Sequence, residues 1–213
     1  MAISNYVELQ SAVASWLARD DLTLRIPEFI TLCEAKLNRN LFVRQMETRS
    51  TTSCDTTDDE PEFISLPDDF QTMRRIRLSG VTGKPRLAFM TQTQMDDFRF
   101  STDNISGQPV YFSIMGTEME LAPTPNEDFV LEMVYRKNIP ALASNSTNWL
   151  LTIAPDVYLY GALLESAPHI KEDARIAVWA AGLSSALDDL NRLGAMQSFD
   201  SGPSSITLPG IVP

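Results

Sequence analysis

Residues 155–165 read Pro155-Asp156-Val157-Tyr158-Leu159-Tyr160-Gly161-Ala162-Leu163-Leu164-Glu165, an almost unbroken apolar run. Proline is tolerated in a first helical turn, where its missing N–H has no partner to lose. Pro155 therefore opens a helix, and Pro168 ends it. Apolar side chains fall nearly all round its circumference. A helix with so little polar face is packed on several sides.

Outward from it, helical periodicity returns at both ends of the chain. On the C-terminal side, residues 171–193 form a last helix. Ala174, Ala177, Val178, Ala181, Leu187 and Leu190 are read as inward, with Gly194 as C-cap. On the near side, a polar linker over 143–148 leads into Trp149-Leu150-Leu151. At the N-terminus, Asn5 with Glu8 three residues on is patterned as a capping box. Leu9, Ala12, Val13, Trp16 and Leu17 make residues 5–18 one amphipathic helix. Arg19-Asp20-Asp21 breaks it, and Pro27 places a second start near Arg25 or Ile26. Ile26, Phe29, Ile30, Cys33, Leu37 and Leu41 mark its face, and the two helices read as an antiparallel hairpin.

Between these ends the period falls to two. Thr48–Thr52 is β-branched-rich, Glu62–Leu66 alternates, and Pro67-Asp68-Asp69 supplies a turn. Phe70–Leu78 alternates, with Thr72, Arg74, Ile76 and Leu78 on one side and Met73, Arg75 and Arg77 on the other. Gly80 and Gly83 close it. Residues 91–100 fit a short helix, on which Met95 and Phe98 share a face with the preceding Met90. Val110–Met115, Glu118–Leu121 and Phe129–Tyr135 follow as a meander, with Phe129, Leu131, Met133 and Tyr135 opposite Val130, Glu132 and Val134.

The expected fold is therefore α+β. The N- and C-terminal helices form a four-helix bundle, into which an antiparallel β-rich module is inserted, and an extended C-terminal tail follows. The expected segments are a helical hairpin at 1–44, the β-rich module at 45–140, the closing helices at 141–197 and the tail at 198–213. Three prolines and two glycines keep that tail from being helical. Its Ile206, Leu208, Ile211 and Val212 make it a candidate interlock docked on a neighbour, with simple terminal disorder as the other reading.

Composition narrows the function. The chain has 213 residues, of which 44% are hydrophobic and 21% charged, which is a globular balance. Mean hydropathy is −0.10, and the absence of an 18-residue apolar run predicts no spanning helix. The start, Met-Ala-Ile-Ser-Asn, carries no secretory signal pattern. Seventeen basic residues face 28 acidic ones, a net charge of −11, with the excess building toward the C-terminal side. A protein that grips DNA through phosphates needs the opposite sign.

Chemistry finds little foothold. Cys33 and Cys54 are 21 residues apart without a C-x-x-C, which predicts reduced thiols and a reducing compartment rather than a disulfide framework. His169 is the single histidine, which removes multi-histidine metal sites and H-E-x-x-H chemistry. It is read as a capping or loop residue. Asp55–Glu60 lacks calcium-loop register and reads as a solvated loop. Asp68-Asp69 and Asp96-Asp97 fit a turn and a helix first turn as well as they fit paired catalytic acids. Arg74, Arg75 and Arg77 share a strand. They are read as salt-bridging partners at a subunit interface or surface, with an anion or phosphate contact as the alternative. No P-loop, G-x-S-x-G or G-x-G-x-x-G occurs. The expectation is no enzyme, no metal and no cofactor.

A set of blocks then points to a family. They are Trp16-Leu17-Ala18-Arg19-Asp20-Asp21-Leu22-Thr23 running into Ile26-Pro27-Glu28-Phe29-Ile30, Glu34–Leu41, and Arg44-Gln45-Met46-Glu47. Leu66-Pro67-Asp68-Asp69-Phe70, Leu121-Ala122-Pro123-Thr124-Pro125, Asn148-Trp149-Leu150-Leu151 and Ala154–Leu163 continue the series. In this order the chain resembles the head–tail adaptor, or connector, proteins of short-tailed bacteriophages, over about residues 1–190. The resemblance implies a virion structural protein made in the host cytoplasm. It implies a homo-oligomeric ring of twelve subunits at the head–tail neck, docked on the portal protein. Tail nozzle and tail fibre proteins would be its further partners, and double-stranded DNA would pass through its bore during ejection. It also implies a monomer that assembles only on the portal. On that reading Arg74, Arg75, Arg77, Ile206, Leu208, Ile211 and Val212 are the interface residues, and no membrane is involved.

Three rivals remain at this stage. A tail-tube or tail-completion protein belongs to the same structural class. A virion-associated cell-wall hydrolase would need two carboxylates at a defined separation. A small terminase subunit would want a basic helix, and Arg39–Arg44 is too sparse for one.

Overall fold

The computed structural model describes residues 3–103, 105–170 and 174–197. It divides into two compact units. One holds the described residues up to Arg44 and those from Ala141 onward; the other is Gln45–Pro140.

The first unit is helical, with α1 at Tyr6–Leu17, α2 at Ile26–Asn40, α4 at Trp149–Ile153, α5 at Pro155–Glu165 and α6 at Arg175–Gln197. Asn5 caps α1, its side chain accepting from the Glu8 N–H at 2.9 Å. The Glu8 carboxylate reaches back one residue further than a capping box requires, to the Ser4 N–H at 2.7 Å. The break expected at Arg19-Asp20-Asp21 is a 3-10 helix, Asp20–Arg25, that runs straight into α2.

The all-round apolar helix is α5, and it is a hub: α1, α2, α4 and α6 each pack on it. Val157, Tyr158, Ala162 and Leu163 are fully buried. This corrects the expected four-helix bundle, although the α+β class stands. In a bundle each helix shares a central seam with two neighbours, whereas here α6 packs principally on α5. The cause is the narrow apolar stripe of α6. Trp179, Ala186 and Leu190 are buried and Leu183 and Leu187 half-buried, whereas Ala174, Ala177, Val178 and Ala181 face solvent. Only Leu187 and Leu190 of the expected inward face turn inward. Gly194 lies inside the helix rather than capping it, beside Val43.

Glycine sets the close approaches on the hub. A Cβ on Gly161 would lie 2.3 Å from Cys33 Sγ on α2, and one on Gly182 of α6 would lie 3.0 Å from the Tyr160 ring on α5. The first is closer than a methyl group permits, and the second would require the Tyr160 ring to give by a few tenths of an ångström.

The second unit holds β1 (Glu47–Ser53), β2 (Phe63–Ser65), β3 (Phe70–Ser79), β4 (Ala88–Phe89), α3 (Gln92–Ser101), β5 (Ser106–Gly107), β6 (Tyr111–Met115), β7 (Glu118–Ala122), β8 (Thr124–Pro125) and β9 (Val130–Lys137). Its strands form sheets ordered β1-β9-β3 and β2-β7-β6-β4, with β5-β8 as a small pair. The first sheet is antiparallel throughout. In the second, β4 runs parallel to β6. The expected meander ends at β7, because β9 crosses to the centre of the other sheet. The two sheets share one apolar core, in which Leu78, Met119, Leu121 and Leu131 are fully buried. Each such side chain contributes about 1.5–3 kcal/mol by leaving water. The alternation read on Phe129–Tyr135 is present: Phe129, Leu131, Met133 and Tyr135 all face this core.

Alternation along β3 is broken by a bulge between Met73 and Arg75. A bulge adds one residue to one strand and shifts the face of every side chain beyond it. Met73 therefore packs toward the core with Ile76 and Leu78. The expected pairing of Arg74 with Ile76 and Leu78, against Met73 with Arg75 and Arg77, is overturned.

Candidate protein interface

The outer face of β1-β9-β3 is charged. The register sets Glu47 and Arg49 of β1, Glu132 and Arg136 of β9, and Arg75 and Arg77 of β3 on that side. Glu132 is its centre. The residue is 3% exposed, and its carboxylate meets Arg77 at 2.6 Å, Arg49 at 3.0 Å and Arg75 at 3.8 Å. Arg74, the bulged residue, pairs with Glu47 at 3.1 Å. Positive charge is in excess on this face. Burial, together with the neighbouring Arg74, lowers Arg136 from its usual value.

The Arg77 guanidinium holds the Glu132 carboxyl below the usual carboxylate range, against the opposing effect of burial. A depressed carboxyl contributes stability above its unfolded value, lost as the pH falls through the folded one. The β unit should therefore weaken on acidification below about pH 4. Glu132→Gln should weaken it already at neutral pH and flatten that acid limb. Amide exchange across β9 as a function of pH reads both effects; an unchanged acid limb in the variant would refute the assignment.

The interface residues expected from sequence are thus partly located. Arg74, Arg75 and Arg77 come together on one sheet, where intramolecular carboxylates partner them. Ile206, Leu208, Ile211 and Val212 lie outside the described residues. Sequence reasoning missed Arg49, Glu132 and Arg136, which join the cluster only through the pairing of β9 with both neighbours. It also missed Arg99. That side chain donates to Glu120 Oε1 at 2.8 Å, to Thr124 Oγ1 at 3.0 Å and to the Leu121 carbonyl at 3.0 Å, fastening α3 to β7.

The other candidates are structural. Cys33 and Cys54 are free and buried; burial pushes the Cys33 thiol up to about 12, so it packs rather than reacts. His169 lies in a 3-10 turn with its ring 5.4 Å from that of Phe29. Asp69 accepts from the Tyr135 hydroxyl at 2.8 Å. The loop over 55–60 is exposed. Among the described residues no group of three or more His, Cys, Asp and Glu could hold a metal ion, and no helix is long and apolar enough to cross a membrane.

The helical unit also exposes large apolar side chains: Leu24 is 93% exposed, Phe42 69% and Val178 66%. Single apolar side chains in water are common on protein surfaces, and a subunit contact would cover those that lie on it.

An α+β chain with a charged sheet face and an apolar-studded helical unit fits a class of proteins that build assemblies. The SU10 adaptor protein family model matches residues 4–207, and the chain belongs to that family. It is accordingly a structural adaptor protein of a phage, a virion component that contacts other virion proteins. A search of the curated proteins gave no match.

Proposed function

We propose that twelve copies of this chain form a ring docked on the portal, joining the head to the tail nozzle and fibres and letting double-stranded DNA pass through the bore. The family match over 4–207 carries the reading. Two further observations support it. Leu24, Phe42 and Val178 are exposed in the isolated subunit, and assembly would cover apolar side chains of this kind. A net charge of −11 per subunit multiplies to roughly −130 for twelve copies before counterions. Acidic walls repel phosphates, so such a ring lets DNA slide without holding it.

Electron microscopy of the virion neck tests the reading directly, since a tail-tube or tail-completion protein would sit elsewhere. Native mass spectrometry with and without portal protein gives the stoichiometry, and a chain that stays monomeric with portal present contradicts the ring. The tail has its own test. Deletion of residues 198–213 should abolish portal binding or ring closure, and normal assembly of the truncated protein on portals would remove the tail from the interlock.

A further inference from the structure

The β unit carries both halves of a contact, on opposite faces of one sheet. The first half is a projection. α3 is held down by buried Met95 and by the Arg99 bonds described above, and its next residue, Phe100, points out of the unit with 91% of its surface exposed. Asp96 and Asp97 precede Phe100 by four and three residues and are exposed, so all three share a helix face. Asp103, also exposed, follows the helix.

The second half is a recess of about 490 Å³, a volume that admits an aromatic side chain. Met73, Ile76, Leu87, Phe89, Phe112 and Ile114 supply its apolar lining, and Arg74, Arg75 and Arg86 its charged rim. The β3 bulge puts two consecutive arginines, Arg74 and Arg75, at this rim. Arg75 meets Glu132 only at 3.8 Å, and its buried Nε has no hydrogen-bond partner among the described residues.

Strand alternation fixes the relation of the two halves. α3 packs on the β6–β7 side that bears Tyr111 and Glu120, with the Phe98 and Tyr111 rings 5.3 Å apart. Phe112 and Ile114, the next residues along, point to the other side of the sheet, and that side lines the recess. The projection and the recess therefore face away from each other, so a subunit cannot fill its own recess. A second copy can.

We infer that Phe100 of one subunit seats in the Met73–Ile76–Phe89–Phe112 recess of the next, with Asp96, Asp97 and Asp103 meeting Arg74, Arg75 and Arg86. Acids surround the apolar projection and arginines surround the apolar recess, so the charges match as well as the shapes. A contact between two different surfaces of one chain is head-to-tail, and repeated copies close into a ring when the rotation permits. The inference rests on the ring reading only for that closure.

Cysteine cross-linking of the full chain tests it. Asp97→Cys combined with Arg86→Cys, oxidised with copper phenanthroline, should give a ladder of disulfide-linked oligomers growing one copy at a time. Its yield should exceed that of Asp97→Cys combined with Thr57→Cys, in the exposed acidic loop, by about tenfold, as expected when contact raises the effective thiol concentration. Adding Phe100→Ser to the Asp97→Cys/Arg86→Cys chain should remove that excess. Mixing the two single-cysteine chains should stop at dimers. A yield no greater than the Thr57→Cys control, a ladder indifferent to Phe100→Ser, or closed dimers from the Asp97→Cys/Arg86→Cys chain would each overturn the contact. Micrographs of the neck separate the two readings. A ring without the ladder removes this contact alone; a ladder without a ring removes the ring and keeps the contact.

Discussion

Gly161→Leu should leave the helical unit unfolded under conditions where the native chain is folded, and Gly161→Ala should already be destabilising. In an ordinary helix interior, glycine to alanine gains about 1 kcal/mol. Here the added Cβ would lie 2.3 Å from Cys33 Sγ, so one of the two must shift, and Cys33 is itself buried at 3% exposure. Either α2 moves off α5 or the thiol is forced from its rotamer, at about 1–3 kcal/mol. The clash outweighs the propensity gain, so the net sign is a loss. Leucine adds three more carbons to the same contact and has no accommodating solution. The partner variant isolates the cause. With Cys33→Ala the nearest remaining atom, Cys33 Cβ, is 3.6 Å away, an ordinary packing distance. In that background Gly161→Ala should stabilise by up to about 1 kcal/mol, the propensity term alone. Urea denaturation of the four chains followed by circular dichroism reads the cycle. Equal effects of Gly161→Ala with and without the thiol would show that helix contact is not the reason for the glycine.

The second large effect is expected at Glu34, which α2 buries in the helical unit. Its Oε1 accepts from the Leu142 N–H at 2.9 Å and from the Tyr158 hydroxyl at 3.3 Å. The same hydroxyl accepts from Asn148 Nδ2 at 2.7 Å, and Asn148 Oδ1 accepts from the Leu151 N–H at 2.8 Å, capping α4. One carboxyl thus anchors the segment entering α4 and the core of α5. Glu34→Ala orphans two buried donors and opens a cavity, for a loss of about 3 kcal/mol.

Glu34→Gln keeps the acceptor and removes the ionisation, which separates geometry from charge. Burial raises the Glu34 carboxyl above its usual value, with the bonds from Leu142 and Tyr158 pulling the other way. For a group raised in the fold, the stabilising contribution is complete below the unfolded value and lost as pH rises through the folded one. The wild-type chain should therefore lose stability relative to Glu34→Gln as pH rises above the unfolded carboxyl value of about 4. Thermal midpoints of both chains across that range measure the difference, and a constant gap would place the titration elsewhere.

Much of the molecule could be read before any coordinates. Pro155, Val157, Tyr158, Leu159, Ala162 and Leu163 announce a helix packed on several sides, because helical period and apolar content are local properties. Phe129, Leu131, Met133 and Tyr135 announce a core-facing strand on the same grounds. The bulge at Met73 and Arg75 was not legible. Every residue around it suits an uninterrupted strand, and the extra residue exists only relative to the partner β9. The inward face of α6 is not legible for a related reason. Alanines mark several faces of that helix, and which one is covered depends on where Gly182 and Leu183 meet α5.

The interface shows the same division. Three arginines on one strand are visible in the sequence, whereas Glu132, the partner of Arg75 and Arg77, is 55 or more residues away from both, and Glu47, the partner of Arg74, lies on another strand. Phe100 looks like any helix residue until its neighbours Met95 and Arg99 are seen to be fastened inward.

What the sequence determined by itself is the kind of elements and their order: helices at both ends, strands between, a lone histidine and a net charge opposite in sign to that of a phosphate grip. These follow from residue-by-residue preferences for backbone conformation, burial and charge. What the tertiary structure decided is which surfaces meet. It made α5 a hub rather than one wall of a bundle, drew Arg49, Arg75 and Arg77 around Glu132, and turned Phe100 and the arginine-rimmed recess to opposite faces. Those outcomes depend on register and close packing between residues far apart in the chain, where a shift of one position exchanges inside for outside.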